Sequence, residues 1–389
     1  MMTISDIELL RSEELRRAID ENIERDATAI ALDKRVPHAS LVATEVKYLQ
    51  RARRKLPRLY EARCIIPPRA FEQSSSEEAA MRKALSGKRL LDLTCGLGID
   101  VIAQAAHFES VVALERDPVL AEVVRHNLRL LGIDNVEVIT ASAEEYVASC
   151  NDHFDWVFAD PDRRSADGKK MVCMEDCSPN ILALMPRLEK IASRVALKLS
   201  PLFDCDEAFR LFGPAEVEVV SIGGECKELN IYTHAEHNVL HIAASGFESL
   251  CFAPEDMSAA PCSESFESGA WRYLIIPDVA LQKGRVAIAA LRPYASMWSN
   301  NGYGFSLVPP AKELPCRTYE ITAIEPYRPK ELKRSLKGEG VEILKRDTQL
   351  SVEGIRRASA LRAGDSHTIA VTTINRENWV IHIKSLPLL

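Results

Sequence analysis

A chain of 389 residues is too long for one ordinary domain and implies two or three. With 47% hydrophobic and 27% charged residues, it is not globally disordered. Its 49 Lys+Arg against 56 Asp+Glu give a net charge of −7, which excludes a globally basic nucleic-acid coat but not a local basic patch.

Residues 1–75 read as a small helical domain, because Ile7, Leu10, Leu15, Ile19 and Ile23 recur at helical spacing with Lys, Arg and Glu on the other face. The run Lys47, Arg51, Arg53, Arg54 and Lys55 is either a solvated helix face or a phosphate-binding one. Pro67-Pro68 closes this region, and the polar stretch 73–76 leads into a helix with Glu77 and Glu78 in its first turn. The chain opens without a continuous apolar segment, so no signal peptide is expected and the cytoplasm is the expected compartment. Apolar runs such as 181–185 and 286–291 fall far short of the ~20 residues a membrane helix needs, so no membrane span is expected. Ten cysteines without a C-x-x-C pair read as reduced, mostly structural thiols. Cys173 and Cys177, with only Glu175 and Asp176 nearby, make at most a poor zinc site, so no metal is expected.

Residues 76–253 change pattern. Short aliphatic runs at 90–93, 111–114, 136–140, 154–158 and 195–199 alternate with helical segments, which implies βαβ units and a mostly parallel sheet. The runs 217–222 and 229–232 are joined around Gly223-Gly224, too short for a crossover helix, and therefore pair as an antiparallel hairpin. Two more runs, 239–243 and 250–252, either extend this sheet or begin the next domain. Residues 254–315 read as a Ser-, Pro- and Glu-rich linker followed by a small α+β segment. From 316 to 389 the pattern is strand, helix, strand, helix, strand, strand, a compact α+β unit. Thirteen Lys+Arg against nine Asp+Glu from Arg317 onward concentrate basic character here.

The strongest chemical signal is the run from Leu90 to Asp100, a strand ending in Asp92, then Thr94, Gly96 and Gly98 in a turn, then a helix start. Glycines allow a sharp turn and a close backbone approach, and a helix start exposes free N–H groups. In an open parallel sheet the ligand crevice lies beyond the carboxyl ends of the strands, where these residues fall. Dinucleotide-binding dehydrogenases also carry G-x-G, but their third small residue is Val101 here, which weakens a nicotinamide reading.

The order of motifs resembles the class I S-adenosylmethionine-dependent methyltransferases. Asp92 to Gly98 looks like their first motif, Ala113 to Asp117 their second, Thr140 to Glu144 their third, and Asp160-Pro161-Asp162-Arg163 their fourth. The resemblance implies a Rossmann-like α/β domain of seven strands with an antiparallel hairpin at its end, and S-adenosylmethionine as methyl donor. It implies that Asp92 faces the amino acid moiety of the donor and Glu115 accepts both ribose hydroxyls. Ser75, Thr94, Gly96, Gly98, Asp100, Arg116, Ser142, Ala143 and Asp160 complete the implied donor site. Ser142 stands where the family often has an acid for the adenine amine, so that contact falls to a backbone group or to Glu144.

The fourth motif lacks the aromatic residue of the base-methylating enzymes, since Arg163 occupies its place. Asp160 and the Pro161 carbonyl, with Asp162 beside them, remain suited to holding an amine or activating a hydroxyl, while Phe203 is a candidate for stacking. Arg163 and Arg164 either grip a phosphate or carboxylate or form a salt-bridged surface pair. Lys198, where the chain leaves the run 195–199, and Glu225, Lys227 and Glu228, on a loop after Gly224, are expected to flank the transferred methyl. Asp160 is the first candidate to take the proton or orient the acceptor, and Glu225 and Glu228 are reserves. Cys95 and Cys226 lack a Pro-Cys setting, which favours direct transfer without a covalent enzyme intermediate. The donor is already activated by its positive charge, so the chemistry requires no metal.

The wider layout resembles a bacterial group of methyltransferases with a ferredoxin-like segment and a C-terminal THUMP-like domain, which implies RNA as substrate. Arg328, Lys330, Lys333, Arg334 and Lys337 crowd one helix of that unit, with Lys345, Arg346, Arg356 and Arg357 near, suited to phosphate contacts. Interleaved Glu331, Glu339, Glu342 and Glu353 leave an ordinary mixed-charge surface open. Methylation of a small molecule or protein, and a non-catalytic donor-binding role, are the alternatives.

Overall fold

The structure, a computed structural model, describes residues 2–83, 85–162, 174 and 177–386. Two compact units divide them, residues 1–199 with 230–234, and residues 200–229 with 235–389.

The first unit opens with α1 (Ile4–Arg11), α2 (Glu13–Asn22), α3 (Ala27–Leu32), α4 (Ala39–Lys55), α5 (Pro57–Glu61), α6 (Pro68–Gln73) and α7 (Glu77–Met81). Then follow β1 (Gly87–Asp92), α8 (Ile99–Gln104), β2 (Phe108–Leu114), α9 (Pro118–Leu130), β3 (Val136–Ile139), α10 (Ala143–Ser149), β4 (Phe154–Ala159), α11 (Ile181–Ile191) and β5 (Ala192–Leu199). Helix starts carry the side chains that satisfy free N–H groups: Thr3, Ser12, Asp26, Ser76, Asp117, Ser142 and Asn180 all cap. The strands pair in parallel, in the order β3-β2-β1-β4-β5, and residues 230–233 of β7 (Glu225–Thr233) continue the sheet beyond β5.

The helical segment of residues 1–75 shares one apolar core with this sheet. Leu10, Leu49 and Ile66 are buried in the same cluster as Val124 and Val111. The Asn127 side chain of α9 pins it, accepting from Ile65 N–H and donating to Ile65 O, both at 2.9 Å.

The second unit contains α12 (Cys205–Phe212), β6 (Ala215–Ile222), the start of β7, β8 (Val239–Ala244) and β9 (Leu250–Phe252). Their order is β7-β6-β8-β9, so 239–244 and 250–252 extend the hairpin rather than begin a new sheet. The turn between β6 and β7 is only Gly223-Gly224, both at positive φ. Glu225 to Glu228 therefore lie in a strand, not in the loop expected for them, because a two-residue hairpin turn leaves nothing between the glycines and the ladder.

After β9 come β10 (Tyr273–Pro277), α13 (Val279–Lys283), α14 (Ala287–Leu291), β11 (Ser296–Met297), β12 (Gly304–Ser306), β13 (Cys316–Pro326), α15 (Pro329–Ser335), β14 (Gly340–Lys345), α16 (Val352–Ser359), β15 (Arg362–Ala363), β16 (His367–Ile374) and β17 (Glu377–Ser385). They form one eight-stranded sheet, β11-β12-β10-β13-β17-β16-β14-β15. Since β10 pairs with β13, the segments 254–315 and 316–389 share a sheet instead of standing as separate units. One apolar cluster gathers Leu274, Phe305 and Ile381 with Trp271, Trp298 and Trp379, and another packs Leu332, Leu336 and Ile355 against Val341 and Ile369. No helix among the described residues is long and apolar enough to cross a membrane.

Candidate active site

At the carboxyl ends of β1, β2, β4 and β5 the first unit opens into a cleft of about 1230 Å³. β1 ends in Asp92, whose side chain is buried and accepts Thr94 N–H at 2.7 Å. Burial pushes this carboxyl up to about 8, against the Thr94 N–H, which pulls the other way. Thr94 Oγ1 in turn accepts Asp160 N–H at 2.7 Å, tying the end of β1 to the end of β4. Gly96 and Gly98 sit at φ +55° and +81°, a region that disfavours side chains, and Gly98 starts α8. A Cβ on Gly98 would meet Val124 Cγ1 at 3.1 Å, so the glycine also lets α9 approach.

Glu115, at the end of β2, accepts Gly96 N–H at 3.0 Å and Asp117 N–H at 2.8 Å. Burial raises its carboxyl, opposed by those two donors. The two bonds fix a carboxylate at the cleft wall beside the glycine turn. Ser142 and Ala143 line the same wall, and the Ser142 hydroxyl caps α10 in a reciprocal pair with Glu145.

The other wall is ionic. Lys198 of β5 forms an ion pair with Asp160, donates to Ser75 Oγ at 2.8 Å and lies 3.4 Å from Asp100 Oδ2. Ser75 Oγ donates to Asp100 Oδ2 at 3.1 Å, and Lys83 Nζ lies 2.8 Å from Asp100 Oδ1. Burial would raise the Asp100 carboxyl, but Lys198 and Lys83 hold it well below the usual range. Lys83 is buried and also donates to Ala79 O at 3.3 Å. No sequence motif singles it out, since it follows α7 and lies seventeen positions before its partner. An isolated buried ammonium is costly, so its burial, visible only in the folded chain, is what points to a paired role.

The structure thus brings together Ser75, Thr94, Gly96, Asp100, Glu115, Arg116, Ser142, Ala143, Asp160, Pro161, Asp162 and Lys198 around one cleft, while Asp92, buried behind Thr94, and Gly98 are not among its lining residues. Arg116 donates to Ser178 Oγ at 3.3 Å, and Asp162 exchanges backbone hydrogen bonds with Ser178. Phe203, Glu225, Lys227, Glu228 and Arg334 belong to the second unit. There Glu225 pairs with Lys227, Glu228 is buried, and Arg334 is exposed on α15. Arg163, Arg164 and Cys173 lie outside the described residues.

These residues fit an S-adenosyl donor. Glu115 presents a carboxylate fixed by two backbone donors, the Gly96–Gly98 turn leaves backbone room, and the cleft exceeds the roughly 300–1,000 Å³ of common small-molecule sites. Fold and site together define a class I methyltransferase.

Comparison with known proteins agrees. A family model described as "THUMP domain-like" matches residues 316–385, and one described as "Conserved hypothetical protein 95" matches residues 76–175. An uncharacterised S-adenosylmethionine-dependent methyltransferase of Mycobacterium tuberculosis is 24% identical over 326 residues, covering 78% of this chain and 83% of its own. The ribosomal RNA small subunit methyltransferase J of Coxiella burnetii is 32% identical over 126 residues, 28% of this chain and 49% of that one. A crystal structure of a candidate methyltransferase from Porphyromonas gingivalis W83 superposes with a TM-score of 0.83 at 25% identity, covering 99% of this chain and 100% of that one. The chain is a class I S-adenosylmethionine-dependent methyltransferase with a C-terminal THUMP-like domain.

Proposed function

We propose that this enzyme methylates a nitrogen or oxygen atom of an RNA. The observation that carries the chemical part is the Asp160 carboxylate, anchored through its backbone to Thr94 and through its side chain to Lys198, at the edge of the donor cleft. S-adenosylmethionine supplies, when bound, a methyl carbon already activated by the sulfonium charge. Glu115 would hold the ribose hydroxyls, the turn around Gly96 would leave room for the donor, and Asp92, through Thr94, would support the wall near its amino acid end.

With the donor bound, transfer would be an in-line displacement at the methyl carbon by the acceptor lone pair, the C–S bond breaking as the new bond forms. Holding the two at near-attack distance is the main contribution asked of the protein. Asp160 accepts a hydrogen bond from the acceptor N–H or O–H, fixes its lone pair toward the methyl and takes the proton as the new bond forms. Lys198 keeps that carboxylate in one orientation, while Asp100 and Lys83 keep Lys198 in place.

Two features support RNA as the acceptor. The THUMP domain-like segment carries Lys330, Lys333, Arg334 and Lys337 exposed on and just after α15, the chemistry that contacts phosphates. The matched Coxiella burnetii protein is a ribosomal RNA methyltransferase. Arg356, by contrast, donates to the Val341 and Arg362 carbonyls and serves the fold. Incubation with tritiated methyl donor and total RNA tests the reading: label in RNA that RNase removes, and that Asp160→Asn loses, is expected. Label that survives RNase and follows protein or small molecules would replace RNA as the acceptor.

A further inference from the structure

Outside the cleft, three neighbouring strands of the second unit bring a thiol, an imidazole and a carboxylate together. In the antiparallel pair β8–β9, His241 stands opposite Cys251. In the parallel pair β6–β8, Glu218 stands opposite His241 and Glu216 opposite Val239. Alternation along β6 puts Glu216 and Glu218 on one face of the sheet. Cys251 Sγ lies 3.3 Å from His241 Nδ1, and His241 Nε2 lies 3.4 Å from Glu216 Oε2. Nucleophile, base and a third group that orients the base are the three parts of an activated nucleophile.

Cys251 also differs from the other described cysteines. It is exposed on a three-residue edge strand, whereas Cys64, Cys95, Cys150, Cys177 and Cys205 are buried and Cys226, Cys262 and Cys316 are half-buried. Burial pushes the thiols of Cys205, Cys226 and Cys316 up to about 11, which disfavours their thiolate forms.

We propose that Cys251 is a reactive thiol that exchanges with low-molecular-weight disulfides, with His241 as its base and Glu216 orienting the imidazole. His241 Nδ1 takes the S–H proton, and the thiolate attacks one sulfur of a disulfide R–S–S–R. A Cys251–S–S–R bond forms, the S–S bond of the reagent breaks, and the leaving thiolate takes the proton from His241 to become R–SH. The Cys251 thiol is oxidised and the reagent disulfide is reduced.

The full-length protein, incubated with oxidised glutathione at neutral pH and mapped by peptide mass spectrometry, tests this. A glutathione adduct on Cys251 is expected, forming faster than on Cys226, Cys262 or Cys316, and absent in Cys251→Ser. His241→Ala is expected to slow it about tenfold or more, a well-placed base contributing about 10²–10⁴. Added imidazole should restore part of that rate, which a change of structure alone would not allow. Glu216→Gln should slow the reaction less. Lack of a Cys251 adduct, or an unchanged rate in both His241→Ala and Glu216→Gln, would overturn the proposal.

Discussion

The sheet of the first unit and the eight-stranded sheet of the second both sit against apolar cores, yet they put charge in opposite places. In the first, Lys83 and Asp92 are buried and Asp100 and Lys198 half-buried, each held by a named partner. In the second, α15 and the two residues after it bury Leu332 and Leu336 and leave Lys330, Lys333, Arg334 and Lys337 exposed. Buried, paired charges hold one geometry and suit chemistry, whereas exposed cations on a helix suit salt-sensitive contact with a polyanion.

Breaking the first arrangement should have the largest effect. Lys83→Ala leaves Asp100 without one of its two cations, and removing one partner of a buried pair costs about 3–5 kcal/mol. Urea denaturation should show that loss, while Arg334→Ala should stay within about 0.5 kcal/mol, as exposed positions do. The same contrast predicts a pH signature. With its carboxyl pushed up to about 8 by burial, Asp92 keeps its proton in the native state where the unfolded chain, at the ordinary 3.8, has lost it. Stability therefore falls as pH rises through that window, and Asp92→Asn should flatten the slope in a pH series of urea melts. Asp100 runs the other way. Held below its ordinary value, it contributes stability that is lost as pH falls below about 4.

Gly98→Ala tests the turn, since φ +81° is a left-handed conformation that costs a non-glycine residue about 1–2 kcal/mol, and the new methyl would crowd Val124. A lowered melting midpoint together with weaker donor binding is expected. The smallest predicted effect on the fold lies in the second unit. Lys333→Glu with Arg334→Glu should leave stability and S-adenosylhomocysteine binding unchanged, yet weaken RNA retention and reduce its salt slope by roughly 1 for each phosphate no longer neutralised.

Much of this architecture was legible from residue patterns. The aliphatic runs marked β1 to β5, and Gly96 and Gly98 announced a tight turn that the structure places at positive φ. Gly223-Gly224 foretold the hairpin, but Glu225 to Glu228 looked like a loop because acids and a lysine open β7, where its first residues are largely exposed and only Glu228 onward is buried. The Lys83–Asp100–Lys198 wall was not legible as a unit. Its members come from the segment after α7, from α8 and from β5, and only the folded chain brings both lysines within 3.4 Å of the Asp100 carboxylate. The sharing of one sheet by residues 254–315 and 316–389 was hidden for the same reason, since the β10–β13 pairing joins strands on either side of a long connection.

The central claim is that Asp92, the Gly96–Gly98 turn and Glu115 form the seat of the methyl donor. Isothermal titration with S-adenosylhomocysteine of the intact protein and of a Glu115→Ala variant tests it most directly. Micromolar binding, about −8 kcal/mol, that weakens by about 1.5–3 kcal/mol when the charged acceptor is removed is the predicted result. Absence of binding by the intact protein, or equal affinity in the variant, would contradict it.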